Sequence, residues 1–318
     1  MSEVFVRPDV ATFLLYLNSV PGPKVHELSA PDARKVVRAM RDVADTPTGP
    51  IAVLRDLTMP RLDGGTIGLR LFDARADRGP GPVMVFFHGG GWTMGDLDSY
   101  EPACAEIARV LDIPVVSVDY RLAPEHPWPA GPDDCEAAAR WVASAPEALG
   151  LKPTSLVLAG DSAGGTFTIV TAMALRDEPA AVPVIAQWAL YPAADLVTHY
   201  PSYAEFADGY LLTRDAIAWF AQNYAPDVTH WRGSPMLGSL TGLPPALVTT
   251  ASLDPIRDQG RAYAAALASA GVAVTFREAA GTIHGFLTLR RAIPSSEEDV
   301  AQALAALTSI IAEADRTQ

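Results

Sequence analysis

Six short apolar runs that do not alternate with polar residues recur along the chain. They are Val83-Met-Val-Phe-Phe87, Ile113-Pro-Val-Val-Ser-Val118, Leu156-Val-Leu-Ala159, Ile185-Ala-Gln-Trp-Ala-Leu190, Ala246-Leu-Val-Thr-Thr-Ala251 and Val272-Ala-Val-Thr-Phe276. A strand with one wet face alternates apolar and polar residues, whereas a continuously apolar strand is buried on both faces, as in a parallel sheet covered by helices. Helix-length segments separate the runs: Pro102 to Leu111, Pro132 to Ala145, Thr166 to Leu175 and Gln259 to Ala270. This alternation predicts an α/β architecture. The chain's 318 residues suit one α/β domain with a small accessory part, or two domains, and 49% hydrophobic residues supply a large core.

The flanks differ in texture. Val10, Phe13, Leu14 and Leu17 recur at helical spacing, and Pro21-Gly22-Pro23 ends that helix. Ser29, with Pro31 behind it, reads as the N-cap of a second helix running through Met40. Ile51 to Met59 and Thr66 to Phe72 flank Asp63-Gly64-Gly65 and read as a hairpin. Between Leu190 and Ala246 lie more than fifty residues, with the aromatic-rich pieces Tyr200-Pro-Ser-Tyr-Ala-Glu-Phe206 and Ala218-Trp-Phe-Ala-Gln-Asn-Tyr224. A crossover helix needs far fewer residues. The segment is expected to be an insertion that joins the N-terminal helices in a cap.

The run Leu156 to Ala159 leads straight into Gly160-Asp161-Ser162-Ala163-Gly164, and a helical pattern follows. This is the context of a nucleophile elbow. The serine sits at the tip of a tight turn, where side chains two positions to either side would clash. The pentapeptide alone is weak, since composition gives about 0.1 chance matches in such a chain; its placement at a strand end gives it weight. A second motif, His88-Gly89-Gly90-Gly91, follows Val83 to Phe87. Three ordered glycines are costly unless backbone must approach a ligand. The N–H groups of Gly89 and Gly90, with that of Ala163, are therefore expected to form an oxyanion hole. His88 then braces the loop and is not a base.

A nucleophilic serine needs a base, and the base an acid. His284, in Gly281-Thr-Ile-His-Gly-Phe286, lies just beyond the last apolar run, where catalytic groups gather in parallel sheets. Asp254 follows the run Ala246 to Ala251; Asp258, one turn further on, is the rival acid. The order Ser162, Asp254, His284 is that of α/β-hydrolases. Trp92 and Tyr191 are expected to line the substrate pocket. The proline-rich stretch from Tyr120 to Ala130 reads as a rigid bracing loop; its Glu125-His126 pair lacks the spacing of a metal site.

The set His88-Gly-Gly-Gly91, Tyr120 to Ala130, Gly160-Asp-Ser-Ala-Gly-Gly165, Asp254-Pro-Ile-Arg-Asp258 and His284-Gly-Phe286 resembles the bacterial hormone-sensitive-lipase-like carboxylesterases over nearly the whole chain. The resemblance implies an α/β-hydrolase fold with a mostly parallel eight-stranded sheet, a helical cap, and hydrolysis of short-chain acyl esters through an acyl-enzyme. It implies Ser162, Asp254 and His284 as the triad, with Gly89, Gly90 and Ala163 lining the oxyanion hole. Residues 1–45 would form the N-terminal part of the cap, and residues 46–318 the catalytic domain with a cap insertion at about 195–235. The chain departs from the family pattern at Thr166, where asparagine is common, and at Ile256, where leucine is common. A homodimer is compatible with the resemblance.

Two other functions use the same features. An amidase or peptidase would share the triad and differ in turnover of matched anilides. A hydrolase-like receptor would bind a small molecule without chemistry and would be expected to lack a triad member, whereas all three residues are present. The net charge of −13 argues against nucleic acid as a partner and leaves a small-molecule ester. No metal or cofactor is expected. Cys104 and Cys135, outside any ligand spacing, read as free thiols. No signal peptide and no uninterrupted apolar stretch of membrane-spanning length is visible, so the chain is expected to be soluble and cytoplasmic, with no membrane span.

Overall fold

The computed structural model describes residues 4–61 and 63–316. In chain order its elements are α1 (Pro8–Ser19), α2 (Ala30–Ala44), β1 (Val53–Pro60), β2 (Thr66–Asp73), β3 (Gly81–Phe87), α3 (Glu101–Leu111), β4 (Val115–Asp119) and α4 (Ala130–Ala143). There follow β5 (Pro153–Asp161), α5 (Ala163–Asp177), β6 (Val184–Leu190), α6 (Pro201–Glu205), α7 (Arg214–Tyr224), β7 (Ala246–Leu253), α8 (Arg257–Ser269), β8 (Val274–Ile283) and α9 (Ser296–Asp315). The eight strands form one sheet in the order β1-β2-β4-β3-β5-β6-β7-β8. Only the contacts of β2 with β1 and β4 are antiparallel; all the others are parallel.

Successive strand residues explain the apolar runs. Val83, Val85, Phe87, Leu156 and Leu158 enter one core layer, with Ala138 of α4, Ile169 of α5 and Leu267 of α8. Their immediate neighbours Met84, Phe86, Val157 and Ala159 enter the other, with Ile107 of α3 and Leu304 of α9. The period-two side-chain alternation of a strand thus places apolar residues on both faces. Ser29 caps α2, its hydroxyl accepting from the Asp32 N–H at 3.3 Å. The expected hairpin is β1–β2, paired from Val53↔Asp73 to Pro60↔Thr66. The final apolar run begins two residues before its strand, and that strand continues seven residues beyond it.

Parallel strands deliver their C-terminal ends to one edge of the sheet. Phe87 of β3 pairs with Gly160 of β5, and Leu253 of β7 pairs with Ile283 of β8. The residues that follow these four are therefore neighbours in space. The N-terminal helices pack there: Val10, Phe13 and Leu14 of α1 and Ala44 of α2 share a core with Phe206, Ile283 and Leu289.

A buried ion pair ties the end of α2 to the segment after His284. Arg290 donates from Nε and Nη2 to Asp45 at 2.7 and 3.0 Å, with both residues under 5% exposed. The N–H groups of Arg291 and Ala292 both donate to the carbonyl of Ala44. Removing one partner of a buried pair strands the other charge. Arg290→Met is expected to cost about 3–5 kcal/mol, read as a lower urea midpoint with an unchanged slope. An unchanged midpoint would show the pair to be structurally idle.

Candidate active site

Asp161 ends β5 and Ala163 opens α5, so Ser162 occupies a one-residue turn. Its backbone stands at φ 54°, ψ −117°, a strained conformation for any residue with a Cβ. The turn is tight against β3. A Cβ on Gly160 would lie 2.4 Å from the Gly164 carbonyl oxygen, and one on Gly164 would lie 1.9 Å from that of Phe87. Both glycines are thus required by backbone contact, as the motif suggests. At the departure position, the Thr166 hydroxyl donates to the Ala193 carbonyl at 2.7 Å. Thr166 therefore ties α5 to the segment after β6.

His284 immediately follows β8, and its Nε2 lies 2.8 Å from Ser162 Oγ. Its Nδ1 lies 2.7 Å from Asp254 Oδ2. With Nδ1–H donating to the carboxylate, Nε2 is left to accept the serine proton. Asp254 is fully buried, and its Oδ1 accepts from the N–H of Ile256 at 2.9 Å. Asp258 is placed elsewhere. It accepts from the Ser202 N–H and from Arg257 and Arg261, bracing α6 against α8.

The glycine loop differs from expectation in one respect. The N–H of Gly89 donates to Asp161 Oδ1 at 2.7 Å, so it is already committed and not free for an oxyanion. Among the described residues, the N–H groups of Gly90 and Gly91 have no acceptor. The N–H of Ala163, at the first position of α5, is likewise unpaired because the residue four before it is outside the helix. The free donors are therefore shifted by one residue, to Gly90, Gly91 and Ala163. The presence of Asp161 inside the motif was the available signal: a buried carboxylate demands donors, and the nearest come from the loop beyond β3.

His88 is fully buried and braces this loop. Its Nδ1 lies 2.8 Å from the Gly89 carbonyl, and its ring stacks on Tyr120 at 4.3 Å. Burial holds its imidazole down to about 4, so it stays neutral. Tyr120 donates to the His88 carbonyl at 2.6 Å. Arg34 of α2 donates to the carbonyls of Thr93 and Ala123, tying the bracing loop to the glycine loop.

Neither expected pocket aromatic presents an open face. Trp92 is 6% exposed and stacks on Tyr224 of α7 at 4.5 Å. Tyr191 is 1% exposed, with its ring 4.7 Å from that of His284 and its hydroxyl turned toward Asp161. Tyr191 is a support behind the histidine, correcting the expectation of a pocket wall.

A mostly parallel sheet that carries a serine on a strand-to-helix turn after β5, with an aspartate after β7 and a histidine after β8, defines the class of α/β-hydrolases. A family model described as the alpha/beta hydrolase fold matches residues 84–288. Carboxylic ester hydrolase LipN of Mycobacterium tuberculosis is 42% identical over 262 residues, 79% of this chain and 69% of LipN. Ethyl acetate hydrolase of Pseudomonas putida is 32% identical over 312 residues, 95% of this chain and 98% of that protein. The crystal structure of a thermostable esterase from Pseudomonas putida superposes with a TM-score of 0.91 at 31% identity, covering 98% of this chain and 99% of the other. The chain belongs to the hormone-sensitive-lipase-like carboxylesterase family and is a serine ester hydrolase. Among the described residues, no helix is long and apolar enough to cross a membrane.

Proposed function

We propose that Ser162, His284 and Asp254 form a catalytic triad that hydrolyses small acyl esters through an acyl-enzyme. The observation that carries this reading is the unbroken hydrogen-bonded chain from Ser162 Oγ through His284 to Asp254, with steps of 2.8 and 2.7 Å. Ser162 Oγ attacks the ester carbonyl as its proton passes to His284 Nε2. The carbonyl oxygen becomes an oxyanion held by the N–H groups of Gly90, Gly91 and Ala163, at the positive end of the α5 dipole. Collapse breaks the C–O bond to the alcohol, which leaves with the proton from His284. Water then gives its proton to His284 and attacks the acyl carbon. The acid departs and Ser162 recovers the proton.

Residues 1–45 and about 195–235 serve in this reading as a cap over the sheet edge. Its support is the seating of α7 on the glycine loop: a Cβ on Gly91 would lie 2.2 Å from the Phe220 ring. Rings packed this closely around the glycine loop favour a small acyl group, in keeping with the name of the ethyl acetate hydrolase relative. A series of p-nitrophenyl esters tests this reading. Turnover is expected to fall from acetyl and butyryl toward palmitoyl, and matched anilides should be turned over far more slowly. Preference for palmitoyl, or equal anilide turnover, would overturn the assignment to small esters.

A further inference from the structure

Asp161 occupies the variable position of the nucleophile motif, beside Ser162 but pointing away from the chemistry. Its side chain is 2% exposed, and no cation pairs with it among the described residues. It is instead surrounded by neutral donors. The Gly89 N–H donates to Oδ1 at 2.7 Å, and the Tyr100 hydroxyl donates to Oδ2 at 3.0 Å. A third, longer contact comes from the Tyr191 hydroxyl at 3.4 Å, which in turn accepts from the Leu287 N–H at 3.4 Å. One carboxylate therefore joins three pieces of the site: the glycine loop, the start of α3 and the segment after His284. Gly89 is glycine because of this carboxylate. A Cβ there would lie 2.5 Å from Asp161 Oδ2 and 2.8 Å from the Tyr100 hydroxyl.

We propose that Asp161 is a positioning residue for ester hydrolysis, whose carboxylate holds the glycine loop by the Gly89 N–H so that Gly90 and Gly91 present theirs to the oxyanion. The proposal rests on the triad reading above. A backbone loop with three consecutive glycines has little conformational preference of its own, so its register must come from outside contacts. His88 and Tyr120 hold its carbonyl side; Asp161 alone takes the Gly89 N–H. A charged acceptor gives a bond about twice as strong as a neutral one, so the hold depends on ionisation. Burial pushes the Asp161 carboxyl up to about 6. The titratable groups facing it are Tyr100 and Cys104 of the α3 segment, Tyr120 after β4, Tyr191 after β6 and His284 after β8. Of these, His284 is the one side chain that can carry a positive charge.

Above the Asp161 pKa the carboxylate is charged and the loop is held. As pH falls through about 6 the carboxyl protonates and the hold weakens. Asp161→Asn keeps an oxygen for Gly89 but is neutral at every pH, so it mimics the protonated acid. Asp161→Ala removes the acceptor altogether.

The test is steady-state kinetics on p-nitrophenyl butyrate with wild type, D161N and D161A, each with Ser162 counted by fluorophosphonate labelling. Loss of a whole oxyanion donor costs about 10²–10³ in rate. Misplacement is expected to cost about tenfold in kcat for D161N and about 100-fold for D161A, with KM within about threefold. The wild-type to D161N ratio of kcat/KM is expected to fall from about tenfold at pH 8 toward unity at pH 5. A pH-independent ratio, or a loss confined to KM, would overturn the proposal, as would D161A within threefold of wild type. Should D161A not fold, the D161N ratio decides alone. Failure of wild type to label would overturn the triad reading, which separates the two failures.

Discussion

Ser162→Ala is expected to lower kcat for p-nitrophenyl butyrate by about 10⁴–10⁶-fold while leaving the unfolding midpoint unchanged. The size of the loss follows from the division of labour at the site. Without Oγ there is no acyl-enzyme, and His284 can only activate water from a position shaped for a serine hydroxyl. The oxyanion donors and bound substrate still help, which is why the residual rate should exceed that of free solution. Stability should hold because alanine keeps the Cβ, so the strain at φ 54° is the same in both proteins. The substitution deletes one hydrogen bond, that to His284 at 2.8 Å, at a partly accessible position. Active-site titration with a fluorophosphonate checks that residual activity does not come from a contaminating esterase. Near wild-type turnover in the variant would remove Ser162 from the mechanism.

What the sequence disclosed depended on whether a residue's role was local. The central strands were legible because burial on two faces leaves an apolar run, and β3 and β5 retain theirs almost intact. The continuation of β8 was not. Arg277-Glu278-Ala279-Ala280-Gly281 is polar and small, and it is held by pairing with β7, including a register shift near Ala251. The elbow was legible because steric demands at Gly160 and Gly164 arise within five residues. The assignment of Gly89 as an oxyanion donor missed for the opposite reason. Which of three identical glycines has a free N–H is settled by Asp161, 72 residues away in the chain. Tyr191 was recognised as near the site, but its hydroxyl turns inward because Asp161 needs donors, and that need is visible only once β5 and β6 lie side by side.

The choice between the two acids shows the same dependence and carries the second large effect. Asp254→Asn is expected to lower kcat by about 10⁴-fold, whereas Asp258→Asn should stay within about threefold of wild type. The asymmetry comes from what each carboxylate accepts. Asp254 takes the Ile256 N–H on one oxygen at 2.9 Å and faces His284 Nδ1 with the other at 2.7 Å. An asparagine has one acceptor and one donor for two donating neighbours. If its oxygen stays on Ile256, its NH₂ faces Nδ1, and the imidazole proton is driven to Nε2, where it points at Ser162. Nε2 can then no longer accept the serine proton. If the amide turns over, its NH₂ confronts the Ile256 N–H in a buried place, which costs about 1–3 kcal/mol. Either arrangement spoils the base or the loop that carries the acid. Asp258 faces Ser202, Arg257 and Arg261, so its loss should appear as a small fall in melting temperature. Equal effects of the two variants on kcat, with KM unchanged, would mean that the hydrogen bond from His284 to Asp254 is not the one that orients the base.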